Sequence, residues 1–510
     1  MTTAVFPLFV AIPLGTAFLI PVVARRRKGL ADGLANFATL ALLAAGLAVM
    51  VLGTRGVYAI GGWRPPFGIV WSLDGLGILM LVIVNLVSFA ATFFSIRYME
   101  GYTGHAKYYS LFLLMVAGMN GVVITGDLFN LFVFLEIASF ASYALVAFGC
   151  EHEELEASFK YLVLGSIGST FVLFGIALIY GTTGYLTMAS ISEAIRGGGK
   201  PLVLVLATTF FFAGFGIKAA LVPFHPWLPD AHPSAPAPIS AMLSGVLIKA
   251  LGIYALARVF FNVIGMDRLT SIVLVTVGGL SMTVGVLLAV GQWDLKRLLA
   301  YHSISQMGYV VLGVGFGGYL ISTGGNAAAA SLSILGGIFH LANHSVFKSL
   351  LFLCAGSIER ATGTRQLKEM GGLFSRMPLT RAATTIAALS IAGVPPFNGF
   401  WSKLLIVFAA FQAGYLGLAL MTIAVSFVTL ISFLKVLRYA FLGSLPDALR
   451  EVRESPPLMI VPLGLLAVLC IGMGLLLVPA VREVVLDPAV AALVNGGAYA
   501  RTVLAAFAGE

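Results

Sequence analysis

The sequence has 510 residues and a formal net charge of +9; 59% of its residues are hydrophobic and only 10% are charged. A soluble chain needs about a quarter of its residues charged, so this composition excludes a soluble protein of several domains. The mean hydropathy of +1.01 indicates that most of the chain faces lipid or other apolar helices.

Apolar segments separated by short loops follow one another along the whole chain. At about 20 residues per crossing, they predict an all-α polytopic membrane protein with about fourteen transmembrane helices. The first segment runs from about Thr2 to Val23 and its basic cluster follows it, so we predict a retained helix rather than a cleaved signal peptide. The predicted divisions are helices 1–3 (residues 1–107), a first five-helix repeat (108–262), a second five-helix repeat (269–442), and helix 14 with its tail (443–510).

Basic residues alternate between rich and poor loops, and this alternation predicts the orientation of the helices. The poor loops hold Arg55, Arg64, Arg196 and Arg268. The rich loops hold Arg25, Arg26, Arg27 and Lys28; Arg97 and Lys107; Lys296 and Arg297; Arg360, Arg365, Lys368 and Arg376; and Arg438, Arg450 and Arg453. By the positive-inside rule the rich loops are cytoplasmic and both termini lie outside; the acidic loop around Glu151 is the exception. Charge spread in this way predicts no nucleic-acid partner.

No cofactor or metal site is predicted. Cys150, Cys354 and Cys470 are isolated in apolar surroundings, without zinc, iron–sulfur or disulfide spacing, and we interpret them as packing residues. We find no strand pattern, so no glycine-rich nucleotide loop follows a strand. Any redox chemistry must therefore belong to a partner.

Two apolar segments are interrupted by prolines. The first is GFGIKAALVPFHPWLPDAHPSAPAP (residues 214–238), and the second is ALSIAGVPPFNGFWSK (residues 388–403). Proline removes a backbone donor and clashes with the preceding turn, so each helix should break within the membrane. Transporters tolerate such breaks where the gap lines a hydrated path.

The two breaks occur in the same order within two halves of the chain. Residues 121–149 can be laid over residues 285–313, followed in each half by a Phe-Lys pair and then by a broken helix. The pairs are Phe159-Lys160 and Phe347-Lys348, which we place at the openings of apolar helices. Because five helices separate the halves, these would be inverted repeats.

Ionisable residues lie inside several of these segments, where a charge costs at least about 2.5–3.5 kcal/mol. Glu136 is near the middle of its helix, and we pair it with Lys218, just before the first break. Burial disfavours a charged lysine and a nearby carboxylate favours it, so such a pair can change protonation when the carboxylate moves. Lys249 has no nearby charge in its segment. The alternatives are a carboxyl buried for packing and a lysine extending to the interface.

His340, His344 and Lys348 occur at spacings of four, which places them on one helix face. Histidine titrates near neutral pH and can pass a proton on; the alternatives are packing histidines and half of a zinc site. Lys403, which we place at the end of the second broken helix, is the predicted terminal site, or else an interfacial lysine. His225, Asp230 and His232 flank the first break and would line either a proton entrance or a wetted loop.

Several motifs resemble one family. LVPFHPWLPDAHPSAPAPISAMLSGVLIKALGIYALAR, DLKRLLAYHSISQMGYV, HLANHSVFKSLLFL and GVPPFNGFWSK are similar to the antiporter-like subunits of respiratory complex I, the Mrp-type sodium/proton antiporters and the membrane-bound hydrogenases. The resemblance covers nearly the whole chain and is strongest from residues 121 to 403. FLEIASFASYALVAFG is most like the D-type Mrp subunits and their hydrogenase counterparts.

This resemblance implies fourteen helices, two inverted five-helix repeats and a hydrated polar axis across the membrane plane. By motif, it assigns proton-translocating roles to Glu136, Lys218, Lys249, His340, His344 and Lys403. Some complex I members carry glutamate at the last position, and lysine resembles the Mrp-type members instead. The long lateral helix of the largest complex I member is not expected here.

We therefore predict a proton-translocating, Na⁺/H⁺ antiporter-like subunit of a multisubunit complex in a bacterial or archaeal inner membrane. Its partners would be other integral membrane subunits of an Mrp-type, hydrogenase or complex I-like assembly. Lysines repel sodium, so any sodium path would use carboxylates of another subunit. The alternatives are a structural scaffold whose partners carry the ions and a quinone-binding redox subunit.

Overall fold

A computed structural model describes residues 2–24, 29–196 and 201–507. The predicted basic cluster Arg25, Arg26, Arg27 and Lys28 lies outside these ranges. The elements before the first break are α1 (Leu8–Val23), α2 (Gly29–Val51), β1 (Gly56–Ala59), β2 (Val70–Leu73), α3 (Gly75–Tyr98), α4 (His105–Ile124), α5 (Leu128–Val146), α6 (His152–Thr183), α7 (Met188–Ile195) and α8 (Leu202–Lys218).

The helices after the first break complete the bundle and end in three short helices. They are α9 (Leu228–Ser234), α10 (Ala237–Ile264), α11 (Arg268–Val290), α12 (Leu295–Ser322), α13 (Ala327–Thr362), α14 (Pro378–Ala392), α15 (Asn398–Gln412), α16 (Leu416–Phe441), α17 (Pro457–Gly472), α18 (Pro479–Val485), α19 (Asp487–Val494) and α20 (Gly496–Ala505). Twelve helices in the described ranges are long and apolar enough to cross a membrane. A predominantly helical polytopic membrane protein is thus confirmed.

The expectation of no strands is wrong. β1 and β2 form an antiparallel hairpin in which Gly56 pairs with Leu73 and Ala59 with Val70. The strands have only four residues each, too short for a visible alternation of polar and apolar residues. The intervening Gly61, Gly62, Pro65 and Pro66 supply the turn.

The cysteine interpretation holds in part. Cys354 and Cys470 are buried, but Cys150 is exposed. Cys150 has a positive φ of 61° in the turn between α5 and α6, so its apolar neighbours in sequence do not cover it. Nearby, the backbone N–H of Glu151 donates to Glu154 at 3.5 Å. These acidic residues therefore cap the N-terminus of α6, where a negative charge is stabilised by the helix dipole.

Both proline-containing segments are interrupted. α8 ends at Lys218 and the chain resumes helical geometry at Leu228. The second interruption separates α14, which ends at Ala392, from α15. Lys403 lies within α15, after the break, so its expected position at the end of the helix is wrong. Gly393 and the two prolines that follow it interrupt the chain before this lysine.

The basic-rich loops meet on one face of the bundle, which we call the basic face. There Lys296 pairs with Glu359 at 2.7 Å and Arg297 with Asp230 at 3.2 Å. Arg360 pairs with Glu100 at 3.4 Å. These ion pairs join the ends of α3, α9, α12 and α13, although they are far apart in sequence.

The opposite face carries the β1–β2 hairpin and the three C-terminal helices. Arg258, near the end of α10, donates to both carboxylate oxygens of Asp74 at 2.6 and 2.8 Å. Asn262, one turn later, donates to the backbone carbonyl of Ala492 at 2.7 Å. Tyr499 is 2.9 Å from Ser72 Oγ and lies beneath the Arg258 guanidinium. The C-terminal helices therefore hold the end of α10.

We expect Asp74→Ala to lower the thermal stability of the protein, because it leaves the buried Arg258 charge uncompensated. Loss of one partner from a buried pair costs about 3–5 kcal/mol. Burial raises the pKa of Asp74, but the charge and hydrogen bonds of Arg258 outweigh it, and the pKa is lowered. The stabilisation is therefore complete above the pKa of the unfolded chain and is lost as the pH falls through the folded-state pKa.

Thermal unfolding in detergent at neutral and acidic pH checks this expectation. Asp447→Ala is the matched control because its pair with Arg450 is exposed and such pairs contribute about 0–1 kcal/mol. Equal melting temperatures for the two variants would contradict the role given to Asp74.

Candidate functional site

The first part of the candidate site is a buried lysine beside a carboxylate. Glu136 on α5 lies 3.8 Å from Lys218 Nζ at the end of α8. Lys218 donates to Ser139 Oγ at 2.9 Å and to the Tyr143 hydroxyl at 3.2 Å, and Ser169 donates to Glu136. The structure thus brings the predicted pair together, and neighbouring hydroxyl groups form hydrogen bonds with both side chains.

Lys249 lies in the most buried helix of the bundle. It is fully buried within a π-helical stretch of α10, Leu243–Tyr254, and donates to the carbonyl of Ser244. π-helical turns are rare and occur often at functional sites. A Cβ at Gly252, three residues later, would lie 2.5 Å from that of Ala219, the residue after Lys218. Close packing at this glycine therefore brings the two lysine-bearing segments together.

This contact predicts a large effect for a small substitution. We expect Gly252→Ala to force α10 away from α8 and to lower both melting temperature and transport, because overpacking costs about 1–3 kcal/mol. Thermal unfolding and transport by the purified complex would measure it. Gly464→Ala is the control, since nothing lies within 4 Å of its Cβ position. A Gly252→Ala variant as stable and active as that control would refute the close approach.

The predicted face of α13 is entirely buried. His340, His344 and Lys348 are each 0% exposed. The His340 and His344 rings are 6.5 Å apart, and neither ring nitrogen of His344 has a hydrogen-bond partner among the described residues. His344 therefore lies one turn of α13 from His340 and one turn from Lys348.

Lys403 is linked to His340 through its neighbours. His340 Nδ1 is 2.9 Å from Ser402 Oγ, and the Tyr309 ring contacts both the His340 ring and Lys403 Nζ. Lys403 donates to the Ile391 carbonyl at 2.7 Å and to Ser426 Oγ at 3.1 Å. The Ile391 carbonyl is freed by the end of α14, so the break supplies the acceptor for this buried ammonium.

The residues that flank the first break are divided between two environments. Lys160 is exposed and pairs with Glu156 at 2.7 Å and Asp230 at 3.1 Å. His225 is half-buried, whereas His232 is fully buried, stacked on Phe352, without a hydrogen-bond partner for either ring nitrogen in the described part of the chain. His232 thus belongs with the buried groups, and Lys160 with the basic face.

The two Phe-Lys pairs are not equivalent, contrary to the sequence interpretation. Lys160 is eight residues past the start of α6 and exposed, while Lys348 is buried in the middle of α13. Neither pair opens a helix. The two halves instead share a capping aspartate. Asp127 and Asp294 accept hydrogen bonds from backbone N–H groups in the first turns of α5 and α12, respectively. Asp127 also forms an isolated β-bridge with Thr187, and Asp294 forms one with Gln366.

The sequence interpretation did not include His302 on α12, a buried histidine. It is 0% exposed, and its Nε2 is 2.8 Å from Ser432 Oγ. The test that identified His340, an ionisable residue within an apolar segment, would have found it. Gln306, one turn later, was also missed and is 3.1 Å from His340 Nε2. The described residues contain no group of three or more His, Cys, Asp or Glu that could hold a metal ion.

A membrane bundle whose core carries a row of buried lysines and histidines has the architecture of an ion-translocating membrane subunit. The profile described as "NADH:quinone oxidoreductase/Mrp antiporter, TM" matches residues 125–432. The profile "NADH-Ubiquinone oxidoreductase (complex I), chain 5 N-terminus" matches residues 59–109. The chain belongs to the NADH:quinone oxidoreductase/Mrp antiporter family, which confirms the resemblance of its motifs.

Within this family the chain is similar to both antiporter and dehydrogenase subunits. It is 35% identical to the D-type Na(+)/H(+) antiporter subunit of Alkalihalophilus pseudofirmus, over 85% of this chain and 87% of the relative. It is 35% identical to the N-type NADH-quinone oxidoreductase subunit of Desulforudis audaxviator, over 93% and 96%. A chain in the Mrp complex structure from Dietzia sp. DQ12-45-1b superposes with a TM-score of 0.89 and 31% identity, covering 98% of this chain and 99% of that one.

Proposed function

We propose that this chain is a proton-translocating, Na⁺/H⁺ antiporter-like subunit of a multisubunit membrane complex. One observation carries the proposal: buried ionisable groups succeed one another from the Glu136–Lys218 pair to Lys403, on or beside both interrupted helices. Each such group is costly within a membrane, and a row of them has no packing advantage. Similarity to a D-type antiporter subunit supports the same function.

The proposed topology has fourteen crossings. The twelve uninterrupted spans supply twelve of them, and the pairs α8–α9 and α14–α15 supply one each. Applied to the basic face, the positive-inside rule makes it cytoplasmic and both termini external. The divisions are residues 1–107, 108–262, 269–442 and 443–510, with inverted repeats in the two central ones. The matching aspartate caps and loop bridges support the repeat.

In the proposed mechanism a proton enters beside the first break, past His225, Asp230 or His232, and protonates Lys249. His344 and His340 carry it to Lys403, and it leaves through a second half-channel at the α14–α15 break. The switch is electrostatic. Movement of Glu136 away from Lys218 removes the counter-charge, so Lys218 releases its proton towards the row.

The proposed partners are other integral membrane subunits, as in the Mrp complex to which this fold is similar. Sodium would cross through carboxylates of another subunit, because the row described here is mostly cationic. Similarity to a subunit of NADH-quinone oxidoreductase favours a second candidate setting, in which this chain is a pump module beside a redox arm.

Purification of the native complex, with its components identified by mass spectrometry, tests the proposal together with ion transport in everted vesicles. Small membrane partners alone would indicate an antiporter driven by existing gradients. A hydrophilic iron–sulfur protein in the complex would indicate a redox-driven pump. Charge-neutral substitutions could instead abolish assembly without changing transport per assembled complex. That result would favour a scaffold and contradict the proposed function.

A further inference from the structure

His302 is a buried histidine that the row from Lys218 to Lys403 does not use. Its ring packs against that of Phe433, tilted by 36° with ring centroids 4.7 Å apart, and its Nε2 is hydrogen-bonded to Ser432 Oγ on α16. Its Nδ1 is buried and has no hydrogen-bond partner among the residues that the structure describes. A histidine kept only for packing gains nothing from an unpaired ring nitrogen, which costs free energy when buried.

Lys348, one of the buried lysines, contacts the helix that carries His302. Lys348 on α13 donates its ammonium to the carbonyl of Leu299, which lies on α12 three residues before His302. Leu299 and His302 lie within one turn of α12, so the Lys348 ammonium is held within about one helical turn of His302. The charge of Lys348 acts on the His302 ring.

The hydrogen-bond partner of His302, Ser432, lies on α16 towards the basic face. Ser432 is three residues before Lys435, on the same face of α16. Lys435 is half-buried and donates to the carbonyls of Val290 and Gln292 at 2.7 and 2.6 Å, where α11 ends. Its Nζ lies 4.9 Å from the centre of the Trp293 ring, on which Lys368 also rests.

We propose that His302 and Ser432 carry protons between Lys348 and Lys435, forming a branch that connects the central row to the basic face between α12 and α16. The inference rests on the proposed function and adds to it a second connection, separate from both helix breaks. The charged groups that act on His302 are Lys348, Lys403 and Lys435, from α13, α15 and α16.

The proton balance of the branch follows from the two ring nitrogens. A proton released by Lys348 Nζ binds to His302 Nδ1, directly or through one water. The Nε2–H then passes to Ser432 Oγ, and the hydroxyl proton of Ser432 moves on to a neutral Lys435 or to water beside it. The reverse order carries a proton from the basic face inwards and restores the Nε2–H tautomer. A second passage in the same direction first requires that the ring proton return from Nδ1 to Nε2, by ring rotation and proton exchange with water, and that the serine hydroxyl rotate back.

The test compares transport by the assembled complex in everted vesicles. We expect His302→Gln to reduce the transport rate by about tenfold or more, as for loss of a positioned proton-transfer group, and to change the dependence of the rate on pH. Ser432→Ala should show the same defect, and Ser432→Thr, which restores a hydroxyl, should recover the rate. Thr429→Ala is the matched control, since among the described residues its buried hydroxyl bonds only to the Val425 carbonyl of its own helix.

Lys249→Met in the same vesicles separates the two proposals. If Lys249→Met abolishes transport while His302→Gln retains the normal rate and pH profile, the branch is overturned and the proposed function stands. If Lys249→Met also transports normally, the proposed function fails first. If His302→Gln does not assemble, the comparison of Ser432→Ala with Ser432→Thr decides, and equal rates for those two overturn the branch.

Discussion

Lys249→Met is expected to abolish ion translocation while leaving the complex assembled. Methionine fills nearly the same volume as lysine but cannot bind a proton, and Lys249 is fully buried where α10 passes closest to α8. A proton arriving from the first break would then have no acceptor before His344. We expect a rate loss of at least about 100-fold, within the range for removing a positioned proton-transfer group.

Everted vesicles containing the complete complex, with proton movement followed by a pH-sensitive dye, measure this loss. Lys107→Met is the control because Lys107 is exposed at the start of α4, and it should leave the rate unchanged. Quantification of the partner subunits establishes that both variants assemble. Normal transport by an assembled Lys249→Met complex would exclude the central role of this lysine.

Glu136→Gln is expected to have the second-largest effect, because it removes the only carboxylate paired with Lys218 in the described structure. The amide keeps the shape of the side chain and can still accept from Ser169, so the fold should be preserved. Without the counter-charge, Lys218 should lose its ability to switch between two protonation states. We expect about 10- to 100-fold slower transport, corresponding to about 1.4–2.8 kcal/mol in the barrier.

Glu136→Asp keeps the charge at a shorter reach and should recover part of the rate. The matched control is Glu193→Gln, since Glu193 pairs with Arg196 on the surface and such pairs contribute little. The same vesicle assay measures all three variants. Equal rates for Glu136→Gln and Glu193→Gln would remove Glu136 from the mechanism.

Local sequence was sufficient for several features of the fold. The membrane class followed from composition, and both interruptions followed from proline, whose effect on a helix needs no distant contact. Glu136, Lys249 and His344 could be selected as candidates because a charged or titratable group in an apolar segment is costly wherever that segment packs. The β1–β2 hairpin escaped notice because four-residue strands carry too little periodic signal.

Tertiary structure decided which candidates share an environment. Lys160 and Lys348 each follow a phenylalanine in an apolar segment, yet one is exposed at the basic face and the other is buried. His302 meets Ser432, 130 positions later, and no local pattern encodes that contact.

The sequence by itself therefore determined the membrane-spanning class, the two breaks and most of the costly buried groups, because each depends on the chemistry of neighbouring residues. Only the tertiary structure decided the order in which those groups follow one another in space. It also decided which carbonyl accepts the hydrogen bond of Lys403 and where His302 lies relative to the row. The physical reason is that helix packing, not helix composition, fixes which side chains of separate segments come within hydrogen-bonding distance.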